Sequence, residues 1–272
     1  MAESFDVAKV DGALLGTRFA GQVRHFPVVG STNALALEQA QAGAADGCVY
    51  VADEQTAGRG RGGHGWHSAS GDGLYVSVLL RPAMAMADAL WIALATGMAA
   101  QRGILATTQL LVDIRWPNDL MVEGRKCGGI LVETSVAAAQ GDERAMLRYA
   151  VIGIGINVNH ASFPAELEGI ATSLRRESGQ AWQREQVLAG LLLGLDQEMR
   201  WLEEELRGTG TEAGVLERFA VASSWVRGRR VRVDEEGGYT GVTAGLDARG
   251  FLLVAGDDGE LHTVLSGGVR PS

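Results

Sequence analysis

A chain of 272 residues, 46% hydrophobic and 21% charged, has the make-up of a soluble globular protein and can form one large domain plus a small one. A formal charge of −9, with no basic run beyond a short arginine cluster at 227–232, argues against nucleic acid as a partner. Two cysteines, Cys48 and Cys127, exclude a disulfide framework or a cysteine-built zinc site and suit a reducing compartment. The stretch Met1 to Lys9 shows no apolar signal-peptide core.

Residues 1–23 are weakly patterned and suit one short helix or strand. The run His25–Val29 reads as a strand ending at Gly30. Ser31, Thr32 and Asn33 are capping residue types ahead of a helix over Ala34–Ala42, stopped by Gly43. Cys48–Ala52 is β-branched and short. The segment from Gly58 to Gly73 is the most glycine-dense part of the chain and must form a loop or a set of tight turns. Leu74–Leu80 follows as a buried strand. The stretch Met84–Ala100 is the most membrane-like, but it contains Asp88 and is rich in Ala and Gly, so a core helix over Asp88–Leu105 is expected, with no membrane contact.

Leu111–Trp116, Leu120–Val122 and Gly129–Thr134 read as strands, the last two joined by a turn at Glu123–Arg125, and Tyr149–Val158 as another. Gln183–Leu206 keeps helical spacing of Val187, Leu188, Leu191, Leu192, Leu195, Met199 and Leu202. After Ser223 the texture changes to short strands, Arg229–Asp234, Tyr239–Leu246, Phe251–Ala255 and Glu260–Leu265, split by Gly/Asp turns, the pattern of a small barrel. The predicted fold is α+β: a mixed β-sheet with flanking helices, then a small C-terminal β-barrel.

Gly58-Arg59-Gly60-Arg61-Gly62-Gly63 formally fits G-x-G-x-x-G, but it leads into Gly65-Trp66-His67-Ser68 rather than a helix, which removes the dinucleotide-binding context. No Walker-type G-x-x-x-x-G-K-[ST] occurs. Glycines let backbone N–H groups approach an anion, and two arginines at alternate positions of an extended segment point to one side, suited to phosphate. A solvated surface turn accounts for the composition equally well. Lys126, in Arg125-Lys126-Cys127-Gly128-Gly129, sits at a strand start, where it serves either as a snorkelling surface lysine or as a point charge for a carboxylate and a phosphate. Asn118 and Asp119 follow Trp116-Pro117 and, taken alone, read as a turn cap. His64 and His67 flank Trp66 and fit a solvated loop better than a metal site, while His25, His160 and His262 look isolated.

In chain order, Gly30-Ser31-Thr32-Asn33, Gln55-Thr56-Ala57-Gly58-Arg59-Gly60-Arg61, Trp116-Pro117-Asn118-Asp119, Lys126 with Gly129-Ile130-Leu131, and Gly153-Ile154-Gly155-Ile156-Asn157 form a series that resembles the catalytic domain of biotin protein ligases. The match spans roughly residues 28–175 and closes at Ala171-Thr172-Ser173-Leu174. The terminal β-rich part resembles the family's SH3-like domain. The organisation implied is a leader at 1–27, a catalytic domain at 28–222 with a class II synthetase-like fold, and a C-terminal domain at 223–272.

What the resemblance implies is an ATP-dependent ligase. It would form biotinyl-AMP from biotin and MgATP and pass biotin to a lysine of a biotin carboxyl carrier domain. On that reading Ser31, Thr32, Asn33 and Gln55 meet the ureido ring, with Gly58, Gly60 and Gly129 also lining the biotin pocket. Arg59 and Arg61 fold over biotin and phosphates, Lys126 meets the biotin carboxylate and α-phosphate, and Asn118 and Asp119 lie near the phosphates, an Mg²⁺ ion and the incoming lysine. Trp66 and Asn157 resemble positions near the adenine, and Asp119 is the candidate for orienting or deprotonating the acceptor lysine. Gly62 departs from the Arg or His common in the family, which implies a looser loop, and Cys127-Gly128 replaces the usual Leu-Ala. Only 30 residues precede Ser31, too few for the winged-helix repressor domain of some members. A lipoate or octanoyl ligase of the same ancestral fold is the alternative. A cytoplasmic location is expected, and a homodimer stays open because the family includes monomers and dimers.

Overall fold

The computed structural model describes residues 5–137, 144–235, 237–266 and 268–272. The larger layer is a seven-stranded sheet of β1 (Val23–Val29), β2 (Val49–Gln55), β3 (Gly73–Leu80), β4 (Asp113–Arg115), β5 (Asp119–Val122), β6 (Arg125–Val136) and β7 (Leu147–Asn157). Their spatial order is β1-β2-β3-β7-β6-β5-β4, and β1 and β2 alone run parallel, joined across helix α2 (Thr32–Gln41). The expected leader forms helix α1 (Val7–Ala13), and β1 begins at Val23, so the sheet takes in the leader's last residues.

All eight residues of β3 are buried because both faces of the sheet are covered. Leu74, Val76, Val78 and Leu80 enter the main core beneath α3 (Leu90–Thr108) and α5 (Arg184–Leu206). The alternate residue Leu79 packs with Tyr50, Tyr149, Ala36 and Ala40 under α2, and Ser77 shares that face. The stretch Met86–Thr108 is long and apolar enough to cross a membrane, yet its helix α3 lies packed against α5 and the sheet, mostly buried. The two helices approach closely at glycines: a Cβ on Gly103 would stand 2.6 Å from the Gly190 carbonyl carbon, and one on Gly194 2.8 Å from Ala99 O.

The C-terminal part is a five-stranded antiparallel sheet of β8 (Arg227–Val233), β9 (Tyr239–Leu246), β10 (Leu252–Gly256), β11 (Leu261–Val264) and β12 (Val269–Pro271), ordered β11-β10-β9-β8-β12. Register shifts at Arg227/Arg230 and Leu253/Val254 bend it. It is fastened to the larger layer through its 247–250 turn. Trp116 Nε1 donates to Gly250 O at 2.9 Å and Trp91 Nε1 to Arg249 O at 3.1 Å. The linker adds Ser223 Oγ to Ile114 O at 2.5 Å and Ser224 N to Asp113 Oδ1 at 3.0 Å.

Three elements lay outside the sequence expectation. Helix α4 (Leu174–Ser178) has five residues and β12 three, too few for periodicity to register. Helix α6 (Val215–Ala222) follows a Gly- and Thr-rich stretch that reads as loop, and it earns its place by burying Val215 and Phe219.

Candidate functional site

The site begins at the first turn of α2. Ser31 is its N-cap, extended at φ −156, with Oγ accepting from Ala34 N at 3.4 Å. The orphan N–H of Thr32 goes instead to Gln55 Oε1 at 2.9 Å, and Thr32 Oγ1 donates to the same oxygen at 3.1 Å. Ser77 reaches up from β3, 2.8 Å from Thr32 Oγ1 and 2.5 Å from Asn33 Oδ1; its single proton serves one of them at a time. Asn33 Nδ2 donates to Glu133 Oε2 at 2.8 Å, and Gln55 Nε2 to Ser68 Oγ at 3.1 Å. Ser31, Thr32, Asn33 and Ser77 are all buried. Such a set of hydroxyl and amide groups both donates and accepts, which is what a planar cyclic urea requires. Gly153 makes room for it: a Cβ there would lie 2.3 Å from Asn33 Oδ1.

Beside this cradle lies a glycine floor. Gly129 of β6 pairs with Gly155 of β7, and the Trp66 ring covers both, so that a Cβ on Gly155 would stand 2.4 Å from Trp66 Cε2. Gly58 is required in the loop, since a Cβ would meet Trp66 O at 2.7 Å and Ser68 Oγ at 2.8 Å. Lys126 Nζ lies 5.5 Å from the Trp66 ring centroid. The Lys126 backbone is pinned by the 170–172 segment, donating to Ile170 O and accepting from Thr172 N, both at 2.9 Å.

Charge gathers on Asp119. Lys126 Nζ is 2.5 Å from Oδ1, while Arg115 places Nη2 2.6 Å and Nε 3.1 Å from Oδ2. Burial pushes the Asp119 carboxyl up, but the Lys126 ammonium and the Arg115 guanidinium outweigh it and hold it below the usual carboxylate value. Burial weakens the Arg61 cation, against the opposing pull of Asp119 and of Glu235 from the C-terminal sheet. Glu235 itself accepts from the Leu265 and Ser266 backbone N–H groups at 3.1 and 2.5 Å.

The structure therefore brings Lys126, Asp119, Arg61, Trp66 and Gly129 together, next to Ser31, Thr32, Asn33, Gln55 and Gly58. The two loop arginines do not point to one side as an extended segment would have them. Arg61 opens a 3₁₀ turn to Gly63, with Gly62 and Gly63 at φ +65 and +80, and its cation is held by the charges of Asp119 and Glu235. Arg59 instead bridges to Gly65 through its backbone and lies 3.6 Å from Glu133, on the Asn33 side. Gly60 closes the same turn, donating to His64 O at 2.7 Å.

The amides of Asn118 and Asn157 are committed to backbone, Asn118 Nδ2 to Ile130 O at 2.7 Å and Asn157 Nδ2 to Thr172 O at 3.0 Å. Both shape the site by fixing its walls. Asp119 does not fit as a ready Mg²⁺ ligand, because each of its oxygens already holds a cation. Among the described residues no group of three or more His, Cys, Asp and Glu side chains gathers to hold a metal.

Sequence reasoning missed Ser77, Glu133 and Arg115. Ser77 had a signal, being the one polar side chain inside the run Leu74–Leu80 apart from the Tyr75 hydroxyl. Arg115 stands directly before Trp116-Pro117-Asn118-Asp119 and, in the sequence, reads only as part of a strand. The histidines are less isolated than they look in the sequence. His25 Nε2 is 2.9 Å from Asp53, and His160 stacks on Phe163 with centroids 5.1 Å apart and faces His67 at 5.8 Å. Burial pushes His160 down to about 4.

A mixed sheet carrying this cradle, floor and cation cluster defines a class of acyl-activating protein ligases, and sequence comparison agrees. Residues 25–157 match the biotin/lipoate A/B protein ligase family, and residues 227–269 match the biotin protein ligase C-terminal domain. The chain is similar to the bifunctional ligase/repressor BirA of Bacillus spizizenii, 36% identical over 90% of this chain and 73% of the relative. It is also similar to the biotin–[acetyl-CoA-carboxylase] ligase of Mycobacterium tuberculosis, 33% identical over 88% of this chain and 84% of that protein. Among solved structures, a biotin protein ligase from Aquifex aeolicus in complex with biotin and ATP superposes with a TM-score of 0.74 at 27% identity, covering 92% of this chain and 99% of that one. The chain belongs to the biotin protein ligase family.

Proposed function

We propose that this protein is an ATP-dependent biotin protein ligase, which joins biotin to AMP and then moves the biotinyl group to one lysine of a biotin carboxyl carrier domain. One observation carries the reading: the Lys126 ammonium meets Asp119 at the rim of the Gly129/Gly155 floor, within the electrostatic reach of the Arg61 guanidinium and beside a buried hydroxyl–amide cradle. The cradle of Ser31, Thr32, Asn33, Gln55 and Ser77 answers both the carbonyl and the N–H groups of a ureido ring. The octanoyl or lipoyl chain of the alternative reading offers such a cradle nothing to bond.

In the first step the biotin carboxylate attacks the α-phosphate of ATP, pyrophosphate leaves, and a mixed anhydride forms. Both reactants are anions. Lys126 and Arg61 offset their repulsion and stabilise charge that grows in the transition state. Mg²⁺ would arrive on the triphosphate and neutralise part of its charge. Trp66 walls the floor against water, and the loop from Gly58 to Gly65 covers the anhydride until the acceptor arrives.

In the second step the acceptor lysine attacks the anhydride carbonyl and AMP departs. Asp119 orients that amine; a carboxylate held low by two cations is a weak base, so placement is its larger contribution. A cytoplasmic location is part of the same proposal, supported by two buried free cysteines. Incubation with ATP, Mg²⁺, biotin and a carrier domain, followed by intact mass, tests it. The expected result is one biotinyl addition to the carrier that needs ATP and is not matched by lipoate or octanoate. An unmodified carrier, or a preference for an acyl chain, sinks the reading.

A further inference from the structure

Asp119 carries two cations, and in the reaction proposed above one of them, Lys126, has to turn toward the substrates. A buried carboxylate stripped of its partner is costly, so an ammonium leaves readily only where another cation stays behind. Arg115 is built to stay. Its two nitrogens both address Oδ2, and its guanidinium carbon lies 5.6 Å from the centroid of the Trp225 ring. Trp225 is only 4% exposed and stands at the head of the C-terminal sheet. The Arg229 guanidinium lies over the same ring at 5.0 Å, and its Nη2 donates to Ser224 Oγ at 3.0 Å. Ser224 in turn binds the Asp113 carboxylate through both its N–H and its hydroxyl. Arg115 is thus held from two sides, by β4 and by the first residues of the other domain.

We propose that Arg115 is a positioning residue that keeps Asp119 compensated and in place while Lys126 swings to the carboxylate–phosphate junction, and that Trp225 is the surface that fixes Arg115. The inference rests on the role given to Lys126 above. It adds that the C-terminal domain reaches the chemistry through the Trp225 ring. Arg115 touches no substrate; it acts through Asp119. Without it, Lys126 would stay bound to the carboxylate it now shares.

The test is single-turnover formation of biotinyl-AMP by the full chain, with biotin and MgATP as the probes. Arg115→Met is expected to slow the step about tenfold or more while leaving KM for biotin and ATP within about threefold, and Arg115→Lys to recover most of the rate. Asp119→Asn removes the charge that needs holding, so Arg115→Met/Asp119→Asn should be no slower than Arg115→Met alone. Trp225→Leu should show the same split of rate from KM, and Trp225→Phe should recover most of it. An Arg115→Met enzyme within twofold of wild type, or losses that simply multiply in the double variant, overturns the proposal. Should Arg115→Met fail to melt as a folded protein, Trp225→Leu takes its place in the cycle with Asp119→Asn, and multiplying losses there are equally fatal. Wild-type enzyme that forms no biotinyl-AMP removes the functional reading and this inference with it. An active wild type with multiplying losses removes the inference alone.

Discussion

Lys126 is the residue on which both charge and architecture converge. Its backbone is clamped by Ile170 and Thr172 and its ammonium is shared between Asp119 and the face of Trp66. Lys126→Ala is expected to cut biotin-dependent pyrophosphate release by a factor of about 100 or more, the scale seen when one transition-state donor is lost. Near-normal release would contradict the role. Ser77 is the counterpart at the other end of the pocket. Ser77→Ala leaves Asn33 Oδ1 without its hydroxyl partner in a dry setting, a loss of about 1–3 kcal/mol. The expected readout is a KM for biotin raised about tenfold or more with kcat changed far less. An unchanged KM would take Ser77 out of the biotin cradle. The cationic residues were legible in the sequence because Gly-Arg-Gly-Arg and Lys-Cys-Gly-Gly are unusual strings. Arg115 and Glu133 were not, because a charged residue in a strand ordinarily faces water, and only the fold shows that these two face other charges.

Among the elements, the loop from Gly58 to Gly65 and the helix pair behave in opposite ways. The loop turns on Gly62 and Gly63 in the left-handed region, and its two arginines part company, one to Glu133 and one toward Asp119. Arg61→Gly removes the loop cation that lies in the field of Asp119. It should release biotinyl-AMP into solution and label bystander lysines, measured as label on an added non-substrate protein; retention equal to wild type would deny the loop its covering role. The helices α3 and α5, by contrast, have no slack. Gly103→Ala forces a methyl to 2.6 Å from the Gly190 backbone and is expected to cost roughly 1–3 kcal/mol, read as a lowered melting temperature. An unshifted melt would mean that the helices separate easily. Periodicity revealed both helices, since each buries a long apolar stripe, but it does not report how close two axes come. The glycines that set that distance carry no side chain for a periodic pattern to register. Strands β4 and β5 begin or end a residue or two away from their expected bounds, because three- and four-residue elements end wherever their partners end.

At the scale of the whole molecule, the two sheets share their most important residues across the junction. The loop Trp116-Pro117-Asn118-Asp119 belongs to the larger domain by sequence, yet its tryptophan is tied to the 247–250 turn and its neighbour Arg115 to Trp225. Trp116→Phe keeps the ring but leaves Gly250 O unanswered, a loss of about 1–3 kcal/mol, or roughly 2–4 °C of melting temperature per kcal/mol for a chain of this size. Adenylation should fall along with stability, because the same bond places Asp119. A lowered melt with full activity would show that the docking serves stability alone. The sequence announced the domain change through the texture of short strands and Gly/Asp turns. It could not announce the junction, because the bonds that make it run to backbone carbonyls, which every residue has.

The docked 247–250 turn has a practical corollary. A backbone cut in the stretch 207–214, between α5 and α6, would leave one fragment with every side chain of the pocket and another with the turn and the tryptophan that brace the Arg115–Asp119 segment. Neither half would carry a finished centre.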